Sequence, residues 1–179
     1  VNALVAMNPA GFRSNLGYVE QGGIIIVNED EFTPANLKKC GYENDYNPLK
    51  DDVLNSNYKI CRVPMSRLTR ESLIRDDEDV SVKDVDRCRN MFALGIVSWL
   101  FSREIEPTIE KIENYFGVVK KKPIIAKLNR RAIKAGYYFG ETAELFPSRY
   151  QVAPAELAKG EYRRISGNEA LVLGLATAT

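Results

Sequence analysis

Residues 22–28 read Gly-Gly-Ile-Ile-Ile-Val-Asn, and they decide the fold. Four β-branched residues, Ile24 to Val27, follow a glycine pair that marks a turn. The run does not alternate apolar with polar. A strand that is apolar at consecutive positions is covered on both faces, as in a parallel sheet lying between helices. This stretch therefore predicts an α/β protein.

Working outward, Val1 to Met7 is a second strand candidate, closed by Asn8-Pro9, and Ala10 to Val19 is a short helix candidate. On the other side, Thr33-Pro34 opens a helix: Thr33 can cap free N–H groups, and Pro34 suits the first helical position. That helix runs to Lys39 and ends near Gly41. Residues 43 to 57 are polar and turn-rich, with Asn47-Pro48 inside, and predict a surface loop. Tyr58 to Val63 alternates and predicts a third strand, and Ser66 to Leu73 a short helix.

The second half predicts helices. Ser81-Val82-Lys83-Asp84 has the form of a capping box, with the acidic run Asp76-Asp77-Glu78-Asp79 ahead of it at the positive end of the helix dipole. The helix is expected to continue through RCRNMFALGIVSWLF. Its portion from Met91 to Phe101 is apolar on all sides and so is predicted to be central. Pro107 opens a further helix that ends near Gly117, and another starts around Pro123. In the latter Ile125, Leu128, Ala132, Ala135 and Phe139 follow helical spacing, with Lys127, Arg130, Arg131 and Lys134 on the other face. The stretch FPSRYQVAPAELAKG, residues 146–160, holds two prolines and no periodicity and reads as a linker. Beyond it Ser166-Gly167-Asn168 opens the apolar run Ala170 to Ala176.

Composition excludes several kinds of chemistry. The 179 residues contain no histidine, which removes Ser-His-Asp and Cys-His catalysis and His-ligated metals. Three cysteines, Cys40, Cys61 and Cys88, are widely spaced with no C-x-x-C pair, which argues against a zinc or iron–sulfur site and fits a reducing compartment. A net charge of +1 gives no global field toward nucleic acid or membrane, and the longest apolar run is too short to span a bilayer. The chain lacks an initiator Met and ends on an element that is just starting, so it is expected to be cut from a longer polypeptide.

The candidate sites each carry two readings. Lys120 to Lys134 holds seven positive charges and no acid: a solvated helix face, or a surface for a small anion. Asn8-Pro9-Ala10-Gly11 lies between a strand and a helix, on the usual ligand side of an open α/β sheet: a binding loop with Asn8 as its polar group, or a plain turn. Gly22-Gly23 precedes a strand and so is no phosphate loop. Arg87, Arg89 and Asn90 sit where the apolar helix enters the core. Either Asn90 ties the helix to a neighbouring loop, or Arg87 and Asn90 face a ligand. Glu29-Asp30-Glu31 should point in different directions. Glu141 and Glu144 can share a helix face, with nothing to hold one of them protonated. On its own residues the segment is not a self-sufficient active site.

The order of LVAMNPAGF, NLGYVEQGGIIIVNEDEFT, RVPM, LTRESL, RCRNMFALGIVSWLF, EPTIE, YYFGET and YRRISGNEALVLGL resembles the alpha chains of 2-oxoacid:ferredoxin oxidoreductases. These are of the kind with a gamma domain fused ahead of the thiamine-diphosphate domains, and the resemblance is strongest to those acting on 2-oxoglutarate. It implies a three-layer gamma domain over 1–146, a linker over 147–160, and at 161–179 the start of the domain that grips the thiamine pyrimidine. It implies oxidative decarboxylation of a 2-oxoacid with coenzyme A to acyl-CoA, carbon dioxide and reduced ferredoxin, with a beta subunit and ferredoxin as cytoplasmic partners. Thiamine diphosphate, Mg2+ and an iron–sulfur cluster would serve the complete enzyme, none of them bound to this segment. Arg87 and Asn90 match a position near coenzyme A. A non-catalytic docking or anion-binding module is the alternative.

Overall fold

The computed structural model describes residues 1–43, 46–74, 80–144, 146, 149–153 and 155–178. The acidic run at 76–79 lies outside them. Three strands, β1 (Ala3–Ala6), β2 (Ile24–Asn28) and β3 (Lys59–Val63), form a parallel sheet in the order β1-β2-β3. The register pairs Val5 with Ile26 and Ile26 with Cys61. Every residue of β2 is buried, as its unbroken apolar run predicts.

The two faces of β2 feed two cores. Ile25 and Val27 pack with Phe12, Phe32, Leu37 and Leu49; Ile24 and Ile26 pack with Phe92, Ile96, Trp99 and Leu100. The first core is roofed by α1 (Pro9–Asn15), α2 (Pro34–Lys39) and α3 (Asp52–Asn57). Both crossovers therefore lie on one face, as handedness demands when a parallel sheet grows in one direction. The sheet is the middle of three layers.

The loop expected over 43–57 contains a 3-10 turn at Pro48–Lys50 and α3. Helix α3 is short and built from weak helix formers. It is started by the Asp51 side chain, which accepts from the Leu54 N–H at 3.0 Å, and held by Leu49 and Leu54 in the core. The first strand and helix are likewise shorter than expected, with a 3-10 turn at Leu16–Tyr18 completing the latter.

The second layer of helices begins with α4 (Met65–Leu73) and continues with α5 (Val82–Arg87) and α6 (Arg89–Leu100). One continuous helix through this region was the expectation; the chain instead turns a corner at Cys88, with φ −78° and ψ −5°. The Asp86 carbonyl there accepts from the Arg89 side chain at 3.0 Å. The capping box at Ser81 is half formed. Its hydroxyl accepts from Asp84 N at 3.2 Å, but the Asp84 carboxylate takes the hydroxyl proton, not the Ser81 N–H. Asp is one methylene too short for the return bond. Ser166 and Glu169, at the start of α9 (Gly167–Thr177), make both halves.

Helix α7 (Glu106–Ile112) runs into a π-helical turn at Glu113–Val119, and α8 (Pro123–Thr142) crosses α6. The buried stripe of α8 is wider than the expected one: Leu128 and Ala132 are buried as expected, Asn129, Ile133, Gly136 and Gly140 face inward beside them, and Ile125, Ala135 and Phe139 are only partly covered. The reason is backbone proximity. A Cβ on Gly136 would fall on the Phe92 carbonyl oxygen, and one on Gly95 on the Ile133 carbonyl oxygen, both far inside contact distance. Only glycine lets these two helices meet so closely. The stretch read as linker begins docked: Phe146 is buried against Trp99, the Arg149 guanidinium lies 5.2 Å from the Trp99 ring, and Tyr150 N donates to Leu100 O at 2.7 Å. The residues of α9 are exposed, Leu171, Val172 and Leu175 among them.

Candidate functional site: the corner between α5 and α6

Arg87 ends α5 and Asn90 lies in the first turn of α6, so the corner at Cys88 presents both on one edge. Together with Val82, Lys83, Asp86 and Arg89 they line an open depression of about 560 Å3. Lys83 and Arg87 are four apart and share a helix face. Asn90 is exposed, so it is not the tie between helix and loop that a buried asparagine would be. Arg87 is also exposed; its guanidinium makes a 3.4 Å contact with the Asp84 carboxylate.

Two arginines that line the depression, Arg87 and Arg89, are each paired with an acid outside its lining, Asp84 and Glu31. The depression's cations are Lys83, Arg87 and Arg89, and its acid is Asp86. Asp86 is already engaged: Arg70 of α4 donates to both its oxygens, at 2.7 and 2.9 Å. That fork, with Arg89 adding to it, holds the Asp86 carboxyl below the ordinary carboxylate value and the Arg70 guanidinium above its own. An exposed arginine and an amide beside it suit phosphate oxygens, which arginine binds as a fork.

Beneath the corner lies a polar network that the sequence reading missed. Asn28, fully buried at the C-terminal end of β2, donates to Ser66 Oγ at 3.0 Å and accepts from Ser66 N at 3.3 Å. Arg89 donates to Ser66 Oγ at 3.0 Å and pairs with the Glu31 carboxylate. Glu31 also accepts from the Asn36 amide at 3.2 Å. The three acids after β2 point apart as expected: Asp30 accepts from Arg67 N at 2.8 Å instead of joining Glu31. The signal for this network was available. Asn28 is the first polar residue at the carboxyl end of the most buried strand, the side on which open parallel sheets gather their polar groups.

Other candidates lie elsewhere. Asn8 does not line the depression; its side chain accepts from Gly11 N at 2.8 Å and caps α1. Glu141 is exposed near the end of α8, and Glu144 lies beyond the helix at a φ of 48°, so the two share no helix face. In the basic stretch, Arg130 pairs with Glu113 at 2.8 Å and Lys120 lies over the Tyr115 ring. Cys61 and Cys88 are buried, and burial pushes their thiols up, that of Cys88 to about 11, which suppresses the thiolate a metal or a nucleophilic role requires. Among the described residues no group of His, Cys, Asp or Glu is arranged to hold a metal ion, and no helix is long and apolar enough to cross a membrane. These residues thus fit neither an iron–sulfur cluster nor the metal of a thiamine diphosphate site.

The geometry describes a parallel α/β layer with a polar corner at its edge, and comparison with known proteins narrows the class. The family described as pyruvate ferredoxin/flavodoxin oxidoreductase matches residues 1–139, and the chain belongs to it. It is 45% identical over 177 residues to the 2-oxoglutarate oxidoreductase subunit KorA of Mycobacterium tuberculosis, an alignment that takes in 99% of this chain and 26% of that protein. Among solved structures it resembles the 2-oxoglutarate:ferredoxin oxidoreductase of Magnetococcus marinus, described with 2-oxoglutarate, coenzyme A and succinyl-CoA bound. That match has a TM-score of 0.58 at 20% identity and covers 87% of this chain and 22% of the other, so it speaks for the fold.

Proposed function

We propose that this chain is part of a subunit of a 2-oxoglutarate oxidoreductase that oxidatively decarboxylates 2-oxoglutarate with coenzyme A. The products are succinyl-CoA, carbon dioxide and a reduced low-potential carrier such as ferredoxin. The observation that carries this reading is the 45% identity across 99% of the chain to a 2-oxoglutarate oxidoreductase subunit. The chain spans about a quarter of that relative, and among the described residues no group of His, Cys, Asp or Glu is arranged to hold a metal ion. Its role in this reading is binding and positioning.

Residues 1–146 form the gamma domain in this reading, 147–160 connect, and 161–179 begin the domain that holds the thiamine pyrimidine. Thiamine diphosphate, with Mg2+, supplies the carbanion chemistry from those later domains, and the iron–sulfur centre carries electrons outward. The beta subunit and ferredoxin complete a cytoplasmic assembly. Arg87 and Asn90 face the phosphates of coenzyme A: the guanidinium offers a charged fork, the amide a neutral donor, and Lys83 adds charge one turn away. Asn8, committed to its helix cap, takes no part in that contact.

The test is the full-length subunit assembled with its partner subunit. Given 2-oxoglutarate and coenzyme A, the complex should reduce a viologen dye, and omission of either should abolish reduction. No turnover with any 2-oxoacid would refute the reading and leave a docking or anion-binding module in its place.

A further inference from the structure

We infer that Arg89 and Glu31 are positioning residues for the coenzyme A contact: their ion pair sets the corner from which Arg87 and Asn90 act. This rests on the reading of that corner given above. The geometry points to it because Val85 and Cys88 pack the corner into the core beside Leu73, Leu128 and Ala132, and Arg89 supplies the polar tie of its exposed edge. Arg87 and Asn90 are exposed, and α5 is only six residues long. A short helix keeps its orientation through what its end is tied to.

Arg89 is that tie. It is the residue between Cys88 and Asn90, and its side chain both lines the depression and reaches the network of Glu31 and Ser66. Its Nε donates to the Asp86 carbonyl at 3.0 Å, which fixes the last turn of α5 to the first of α6. Its Nη1 reaches the Glu31 carboxylate and Ser66 Oγ. Ser66 is in turn clasped by the buried Asn28, so the corner is referenced to the C-terminal end of β2, the most rigidly buried strand of the molecule. On the outer side the Arg70 fork holds the Asp86 carboxylate. Two arginines from two elements thus converge on Asp86, the residue before Arg87, one on its carboxylate and one on its carbonyl. A planar fork that engages a carboxylate, a hydroxyl and a carbonyl at once fixes orientation as well as distance, which a flexible ammonium does not. A group misplaced by an ångström loses much of its value in a binding site.

The experiment uses the full-length subunit assembled with its partner and measures initial rates against coenzyme A at saturating 2-oxoglutarate, then the reverse. Glu31→Gln and Arg89→Lys should each raise KM for coenzyme A roughly fivefold, the order of a weakened charge-assisted hydrogen bond. KM for 2-oxoglutarate should not move, and with Glu31→Gln kcat should hold. Arg87→Ala should raise KM for coenzyme A more, and adding Glu31→Gln to it should raise it by clearly less than Glu31→Gln does alone, because only the Asn90 contact is left to lose. Ser66→Ala, which removes one Arg89 partner and keeps the ion pair, should give a smaller shift in the same direction and serves if Arg89→Lys fails to fold. An unchanged KM in Glu31→Gln beside a raised one in Arg87→Ala overturns the positioning role and leaves the site standing. Additive effects in the double variant overturn it equally. An unchanged KM in Arg87→Ala overturns the site reading itself, and the positioning role with it.

Discussion

The crossing of α6 and α8 fixes where the corner sits, and Gly136→Ala tests that crossing. Two opposing effects follow from one methyl group. In a helix interior alanine is favoured over glycine by about 1 kcal/mol. Against that, the new Cβ would fall on the Phe92 carbonyl oxygen and crowd the Phe92 carbonyl carbon and Cα. These are backbone atoms, which cannot rotate aside as a side chain would. The helices must separate, which loosens Phe92, Ile96, Trp99 and Leu100 in the core beneath the sheet. Overpacking of this kind costs about 1–3 kcal/mol, more where backbone is struck, so the net expectation is a loss of about 2–4 kcal/mol. For a chain of this size that is a fall in Tm on the order of 10 °C. Gly174→Ala in α9 is the control: a Cβ there meets nothing within 4 Å, so the same substitution should be neutral or mildly stabilising. Thermal melts of the two variants beside the parent chain decide the matter. A Gly136→Ala chain as stable as the parent would refute the close crossing.

Two further outcomes are expected. Arg70 holds the Asp86 carboxyl below its ordinary value, so the pair's contribution is fully present above about pH 5 and is lost as pH falls through the lower folded value. Asp86→Asn should cost at most about 1 kcal/mol near neutrality, because the pair is partly exposed, and the gap to the parent should close below about pH 4 in melts taken across pH; a gap that persists in acid would show that the carboxylate's charge is not what counts. Asn28→Ala should cost about 1–3 kcal/mol in denaturant midpoint, since Ser66 N–H loses its acceptor in a buried site, and an unchanged midpoint would mean that water takes the vacated place.

What the sequence made legible was whatever rests on local pattern. The run from Ile24 to Val27 announced a doubly covered strand, and Thr33-Pro34 a helix start, because both depend on neighbours along the chain. Arg87 and Asn90 were legible as a pair at a helix entering the core. What escaped depends on contacts between distant residues. Arg89 meets Glu31 across 58 positions, and no periodicity encodes that. The corner at Cys88 escaped because the residues on both sides are good helix formers and the turn is stabilised by a side chain bonding to a carbonyl. The close crossing was readable in principle: Gly136 lies against Phe92 and near Gly95, and Gly140, four further on, lies against Trp99; small residues at that spacing mark a close helix crossing. Apolar periodicity alone found Leu128 and Ala132, but it also put Ile125, Ala135 and Phe139 in the stripe and left out Ile133 and the glycines.

The central claim, that the corner between α5 and α6 meets coenzyme A in the complete enzyme, is tested most directly by hydrogen–deuterium exchange on the full-length assembly with and without coenzyme A. The account predicts slowed exchange in peptides covering residues 82–92, with the remainder of this chain little changed. Protection confined to other parts of the assembly, with 82–92 exchanging at the same rate in both states, would contradict it.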